Sequence, residues 1–189
     1  MERQVKDCLV DNCLETNIGS TRSVVSRHDL LAMLPYGAEF LFIDEFLEAD
    51  GSHIVARYRF REDQLFYSAH FPDHPVTPGV ILLEAMCQCG MVAQGIYLLS
   101  TETSPENAKK YCFLLTGSEV EWFKQVRPGS TVIMRSELLA WRMRRIRTRV
   151  KMFDEYGSLL AEALVLGMGV PWDSTQIMDS PRSSTKKES

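Results

Sequence analysis

The residues best suited to chemistry stand close together in the run His70-Phe71-Pro72-Asp73-His74-Pro75-Val76-Thr77-Pro78-Gly79, which leads into Val80-Ile81-Leu82-Leu83-Glu84-Ala85-Met86-Cys87-Gln88. An imidazole titrates near neutrality and can take or give a proton at physiological pH. A carboxyl group set in an apolar stretch is driven toward its protonated form, which suits a proton donor. Thr77-Pro78-Gly79 has the composition of a helix start, with Thr77 as N-cap and Pro78 at the first helical position. The free N–H groups of such a start, together with the helix dipole, stabilise negative charge on an oxygen. His70, Glu84 and the helix start thus supply a base, an acid and an oxyanion site, while His74 is read as a structural hydrogen-bonding residue.

The elements around this run must aim it. Pro72, Pro75, Pro78 and Gly79 fix the path of the loop, because proline locks φ and glycine permits close backbone approach. From Val80 to Leu99 the chain is apolar on nearly every face, which predicts a buried central helix. Upstream, Ser26-Arg27-His28-Asp29 reads as a capping box for a short helix stopped by Pro35. Phe40 to Leu47 reads as a strand and Ala49-Asp50-Gly51-Ser52 as a hairpin turn. His53 to Phe60 alternates, with Ile54, Ala56, Tyr58 and Phe60 on one face and Arg57 and Arg59 on the other. After a polar loop, 101–110, four more strands are expected over 111–124, 130–140, 143–153 and 158–170. Strands before and after one apolar helix imply an antiparallel sheet curled around it, an α+β fold.

Composition bounds the function. The chain has 189 residues, 45% hydrophobic and 24% charged, enough for one domain with a real core. We expect a polar extension over 1–22, the domain over 23–172 and a disordered tail over 173–189. A net charge of −4 argues against nucleic acid as the partner. The start of the chain lacks the apolar run of a secretory signal. Its five cysteines lack zinc spacing, which suggests reduced thiols and a cytoplasmic location. Val80–Leu99 is long enough to span a bilayer, but Glu84 near its start and Gln88 and Gln94 within it oppose that reading, an acid at the centre costing about 2.5 to 3.5 kcal/mol. No transmembrane segment is expected. Trp141 to Lys151 carries six basic residues and no acid, with Arg145, Arg147, Arg149 and Lys151 on one face of a strand. A solvated sheet exterior and a docking surface are both consistent with it; RNA is disfavoured because no aromatic alternation accompanies the charge.

The central run closely resembles the signature of 3-hydroxyacyl-acyl-carrier-protein dehydratases of the FabZ type. Weaker matches keep the same order: Leu34-Pro35 and Phe40 to Asp44 before it, Val120 to Phe123, Arg127 to Ser130 and Leu160 to Ala163 after it. The likeness covers about residues 26 to 170. It implies a hot-dog fold, one long helix wrapped by a curved antiparallel sheet, in a homodimer or a trimer of dimers. It also implies active sites at the dimer interface, His70 acting as base from one subunit and Glu84 as acid from the other. The Gly79 N–H would polarise the thioester carbonyl, and Phe71, Val80, Gln88, Trp122 and Phe123 would flank the acyl tunnel. No metal or organic cofactor is implied. The substrate would be a 3-hydroxyacyl chain on acyl carrier protein, an acidic partner for Arg145, Arg147, Arg149 and Lys151, and the product the trans-2-enoyl thioester of fatty acid or specialised lipid or polyene synthesis. A Glu at position 84 looks like the FabZ branch, since the FabA branch carries Asp. The rivals are a thioesterase on the same fold and a non-catalytic acyl-binding subunit. The chain departs from the FabZ pattern at Tyr36-Gly37-Ala38-Glu39, where His-Arg-Tyr-Pro is usual, and at Ala69, Asp73, Thr77 and Phe123.

Overall fold

A computed structural model describes residues 25–173. The extension expected over 1–22 lies outside the described residues, as does the expected tail apart from its first residue. The first helix, α1 (Arg27–Ala32), begins as the capping box predicts: the Ser26 hydroxyl oxygen accepts the Asp29 N–H at 3.1 Å. It is followed by the hairpin β1 (Glu45–Ala49) and β2 (His53–Arg59). The Asp50 carboxylate ties that turn by accepting the N–H groups of Ser52 and His53. On β2, Ile54, Ala56 and Tyr58 are buried and Arg57 and Arg59 exposed, the expected alternation.

A short helix not foreseen from the sequence, α2 (Leu65–Ala69), precedes the histidine loop. The central helix α3 (Gly79–Glu102) comes next, then the one-turn α4 (Pro105–Ala108), set within the stretch read as a loop and capped by the Ser104 hydroxyl. Four long strands complete the chain: β3 (Tyr111–Trp122), β4 (Thr131–Arg142), β5 (Arg145–Asp154) and β6 (Leu159–Pro171). All six strands form one antiparallel sheet in the order β1-β2-β4-β5-β6-β3. Helix α3 touches β2 through β6, so the sheet wraps it. Although α3 is long and apolar enough to cross a membrane, most of it is buried within the fold as the core helix.

Two details position the site. The strand expected from Phe40 begins only at Glu45. Between them, the Phe42 N–H and the Phe40 carbonyl are satisfied by the Gln88 side-chain amide rather than by a neighbouring strand. Within α3 the segment Gln88–Ala93 widens into a π-helix, an extra residue per turn of the kind that collects at functional sites. It lets Gly90 press on the sheet: a Cβ there would stand 2.3 Å from Val150 Cγ2 and 3.0 Å from Thr148 Oγ1. Only glycine allows that approach. The thiols of Cys87 and Cys89, pushed up to about 12 by burial, are inert core groups.

Candidate active site

His70 caps the C-terminal end of α2, its N–H donating to the Phe66 carbonyl at 2.8 Å. The next residue, Phe71, takes a left-handed backbone with φ 57°, a conformation that costs a side-chain-bearing residue of order 1–3 kcal/mol and collects at active sites. That reversal folds the loop back so that His70 Nδ1 lies 3.1 Å from the Val76 carbonyl oxygen. A carbonyl can only accept, so Nδ1 carries the proton and donates, and Nε2 is left with its lone pair, the form of a general base.

The loop is pinned on its far side. The Thr77 N–H donates to the Val126 carbonyl at 2.8 Å and its hydroxyl meets the Tyr67 hydroxyl at 2.6 Å. Thr77 is therefore not the helix N-cap that its position suggested. Pro78 occupies that place, and α3 starts one residue later, because the Thr77 side chain is committed to Tyr67. Gly79, the first residue of α3, has an N–H without an intrahelical acceptor and lies at the same cavity as His70. His70, Val76, Gly79, Leu82, Trp122 and Phe123 line a cavity of about 360 Å³. The Trp122 indole covers Gly79 so closely that a Cβ there would stand 3.3 Å from Cζ2. A second cavity of about 860 Å³ adjoins it, lined by Phe71, His74 and Arg127 and sharing Val76 and Gln125. Val80 lines neither and is 74% exposed.

Glu84 stands elsewhere in the same chain. It does not line the His70 cavity, and its partners come from its own helix and from the loop before β1. Gln88 Nε2 donates to Glu84 Oε1 at 3.0 Å and to the Phe40 carbonyl at 2.8 Å, while Gln88 Oε1 accepts the Phe42 N–H at 2.8 Å. Fully buried, Gln88 is a clamp rather than a tunnel wall. Burial first and the charge of the Glu84 carboxylate second hold the pKa of the Tyr36 phenol far above the ordinary tyrosine value. Residue-type reasoning gave Tyr36 no role, and its one signal was the departure from the FabZ pattern. A cavity of about 570 Å³ lined by Phe40, Phe42, Leu65, Phe66 and Ile81 opens beside this stretch.

The basic run splits in two. Arg149 is paired with Glu137 and Glu162, and Lys151 with Glu162. Arg145 and Arg147 are exposed on the same face. At the β4–β5 turn, Met143 and Arg144 both have positive φ, and the Arg144 guanidinium sits 5.2 Å over the Tyr111 ring. Among the described residues no group of three His, Cys, Asp or Glu side chains is placed to hold a metal ion.

A sequence model of the FabA-like domain matches residues 34–163, from the loop that carries Tyr36 to β6. The chain belongs to the FabA-like domain family. A 3-hydroxyacyl-[acyl-carrier-protein] dehydratase FabZ from Oleidesulfovibrio alaskensis is 33% identical over 144 residues, 75% of this chain and 89% of that one. A protein of the same description from Thermus thermophilus is 36% identical over 115 residues, 60% of this chain and 76% of its own. A bifunctional LpxC/FabZ enzyme from Bacteroides thetaiotaomicron is 35% identical over 117 residues, and there the match spans 24% of the larger protein. Among solved structures, the dehydratase heterocomplex ApeI:P from Xenorhabdus doucetiae aligns with TM-score 0.60 at 17% identity, covering 80% of this chain and 97% of that one. A thioesterase from Haemophilus influenzae aligns with TM-score 0.57 at 14% identity, covering 79% and 94%. These likenesses show the hot-dog fold that the FabA-like family shares.

Proposed function

We propose that the chain is a dehydratase that removes water from 3-hydroxyacyl thioesters carried on acyl carrier protein, giving the trans-2-enoyl thioester. The observation that carries this reading is the His70 imidazole, fixed by Val76 with Nε2 free, in one cavity with the start of α3. His70 takes the C2 proton, and the electron pair of that C–H bond passes toward the thioester carbonyl. The Gly79 N–H receives the enolate charge on the carbonyl oxygen. The C3–O bond then breaks, and the departing hydroxide leaves as water with a proton from Glu84. Arg142, Arg144, Arg145 and Arg147, which lack carboxylate partners among the described ion pairs, suit the acidic carrier better than the already paired Arg149 and Lys151. Free buried thiols accord with a reducing, cytoplasmic setting.

Each site in this reading needs two chains. Glu84 lies outside the His70 cavity of its own subunit. Strand β3 is an edge of the sheet, paired only with β6 and open along twelve residues. At its end Trp122 and Phe123 expose apolar surface, and Leu65, Phe71 and Val80 are exposed as well. A second copy pairing along β3 would cover that surface and bring its Glu84 toward the first copy's His70.

The test is to incubate the purified protein with 3-hydroxyacyl carrier protein of several chain lengths and follow the 2-enoyl product. Enoyl product without free thiol supports the reading. Thiol release without enoyl product would replace it with a thioesterase, and no product from a folded protein would leave an acyl-binding subunit.

A further inference from the structure

We propose that Thr77 and Tyr67 are positioning residues for the base: their paired hydroxyls hold one peptide plane, and through it the His70 imidazole, in the orientation that leaves Nε2 free to take the C2 proton. The inference rests on the dehydratase reading and extends it to Thr77, a position where the chain departs from the FabZ pattern. The peptide between Val76 and Thr77 is bonded on both sides. Its carbonyl accepts from His70 Nδ1 at 3.1 Å, and its N–H donates to the Val126 carbonyl at 2.8 Å. A trans peptide is planar, with N–H and C=O pointing opposite ways. The tilt of that single plane therefore sets where the carbonyl meets the imidazole.

Pro75 and Pro78 lock their own φ but leave ψ of Val76 and φ of Thr77, the two angles about which this plane turns. The Thr77 side chain supplies the missing restraint, its hydroxyl lying 2.6 Å from that of Tyr67. Both residues are buried, at 3% and 6% exposure, and the Tyr67 N–H donates to the Gln64 carbonyl at 3.0 Å. Tyr67 belongs to α2, the helix that His70 caps. The hydroxyl pair thus ties the element that carries the imidazole to the residue whose peptide receives its Nδ1–H. The bonds also run in series, from His70 to the peptide to Val126, and hydrogen bonds in a chain strengthen one another. When Nε2 takes the proton, the positive charge on the ring is met by a carbonyl that is already polarised. A misplacement of about 1 Å at a catalytic group can cost about 10²-fold in rate, so a plane free to tilt is felt at the base.

The double variant Tyr67→Phe/Thr77→Val removes both hydroxyls and nearly keeps their shapes. No buried hydroxyl is left unpaired, so its stability should stay near the parent's. Its kcat should nevertheless fall about 10-fold at unchanged KM. Each single variant breaks the same bond, so the double should be no slower than the slower single, and Thr77→Ser, which keeps the hydroxyl, should retain most of the turnover that Thr77→Val loses. A role confined to folding predicts the reverse: the singles lose stability through an orphaned hydroxyl, and the double recovers both stability and kcat. That recovery overturns the proposal. A readout independent of activity is the pair of ¹⁵N resonances of the His70 ring. In the parent they should show Nδ1 protonated and Nε2 bare, and in the double variant they should move toward a mixture of the two tautomers; a tautomer that stays fixed also overturns it. If the double variant folds poorly, Tyr67→Phe alone, read by the same resonances, decides. A parent chain without dehydratase activity would sink the functional reading instead, and the resonances would still decide whether the hydroxyl pair orients His70.

Discussion

The His70 imidazole is held by one hydrogen bond to Val76 and aimed by the left-handed turn at Phe71, so its removal should leave the fold unchanged and strip the proposed reaction of its base. We predict that His70→Ala lowers enoyl formation about 10²- to 10⁴-fold, the usual worth of a positioned base, while its thermal unfolding matches the parent. A variant that keeps most of the parental rate would show that another group takes the C2 proton. At this scale the sequence was legible where the chemistry and its punctuation are contiguous. His70, Gly79 and Glu84 fall in one run, and the prolines between them announce a rigid loop. Tyr67 was not legible, because its meaning depends on a hydroxyl brought to it by the fold. Thr77 misled for a related reason: its hydroxyl has two local uses, and the buried Tyr67 decides between them.

The elements carry their own tests. In the β1–β2 hairpin, His53 sits between two carboxylates, 2.8 Å from Glu48 and 2.9 Å from Asp50. The bond to Glu48, outweighing burial, and then the Asp50 charge raise its pKa. Burial would raise that of Asp50, but hydrogen bonds from Ser52 and His53 hold it at about 2. A raised histidine stabilises the fold fully below its unfolded value, about 6.5, and that support is lost as pH rises through the higher folded value. A lowered aspartate stabilises above about 3.9, and its support is lost as pH falls toward about 2. Hydrogen-exchange protection of the hairpin amides should therefore be greatest between about pH 4 and 6.5. His53→Gln should abolish the decline above that window; a decline that survives in the variant would assign it to other groups. In α3, Gly90→Ala should cost about 1–3 kcal/mol in denaturant unfolding through the overlap with Val150, and an unchanged midpoint would mean that the helix shifts freely. Alternation and the Asp-Gly turn made the β1–β2 hairpin and the later strands readable. The π-helical turn was not, because an apolar helix has no polar stripe to betray a slipped register.

For the whole molecule, an antiparallel sheet wrapped around one helix follows from strands flanking one apolar segment, and the family likeness agrees with it, whereas the strand order β1-β2-β4-β5-β6-β3 came only with the structure. What a single sequence leaves implicit is that the proposed chemistry is divided: the His70 cavity and the Glu84–Gln88 pair occupy different parts of one chain, and in the proposed dehydratase a second copy along β3 joins them. Complementation between variants tests this account most directly. His70→Ala and Glu84→Gln, each nearly inactive alone, should recover about a quarter of the parental rate when unfolded together and refolded as an equal mixture, because half the dimers then hold one intact site of two. A mixture shown by differential tagging to contain the hybrid dimer, and still no more active than its components, would contradict a site built from His70 of one subunit and Glu84 of the other.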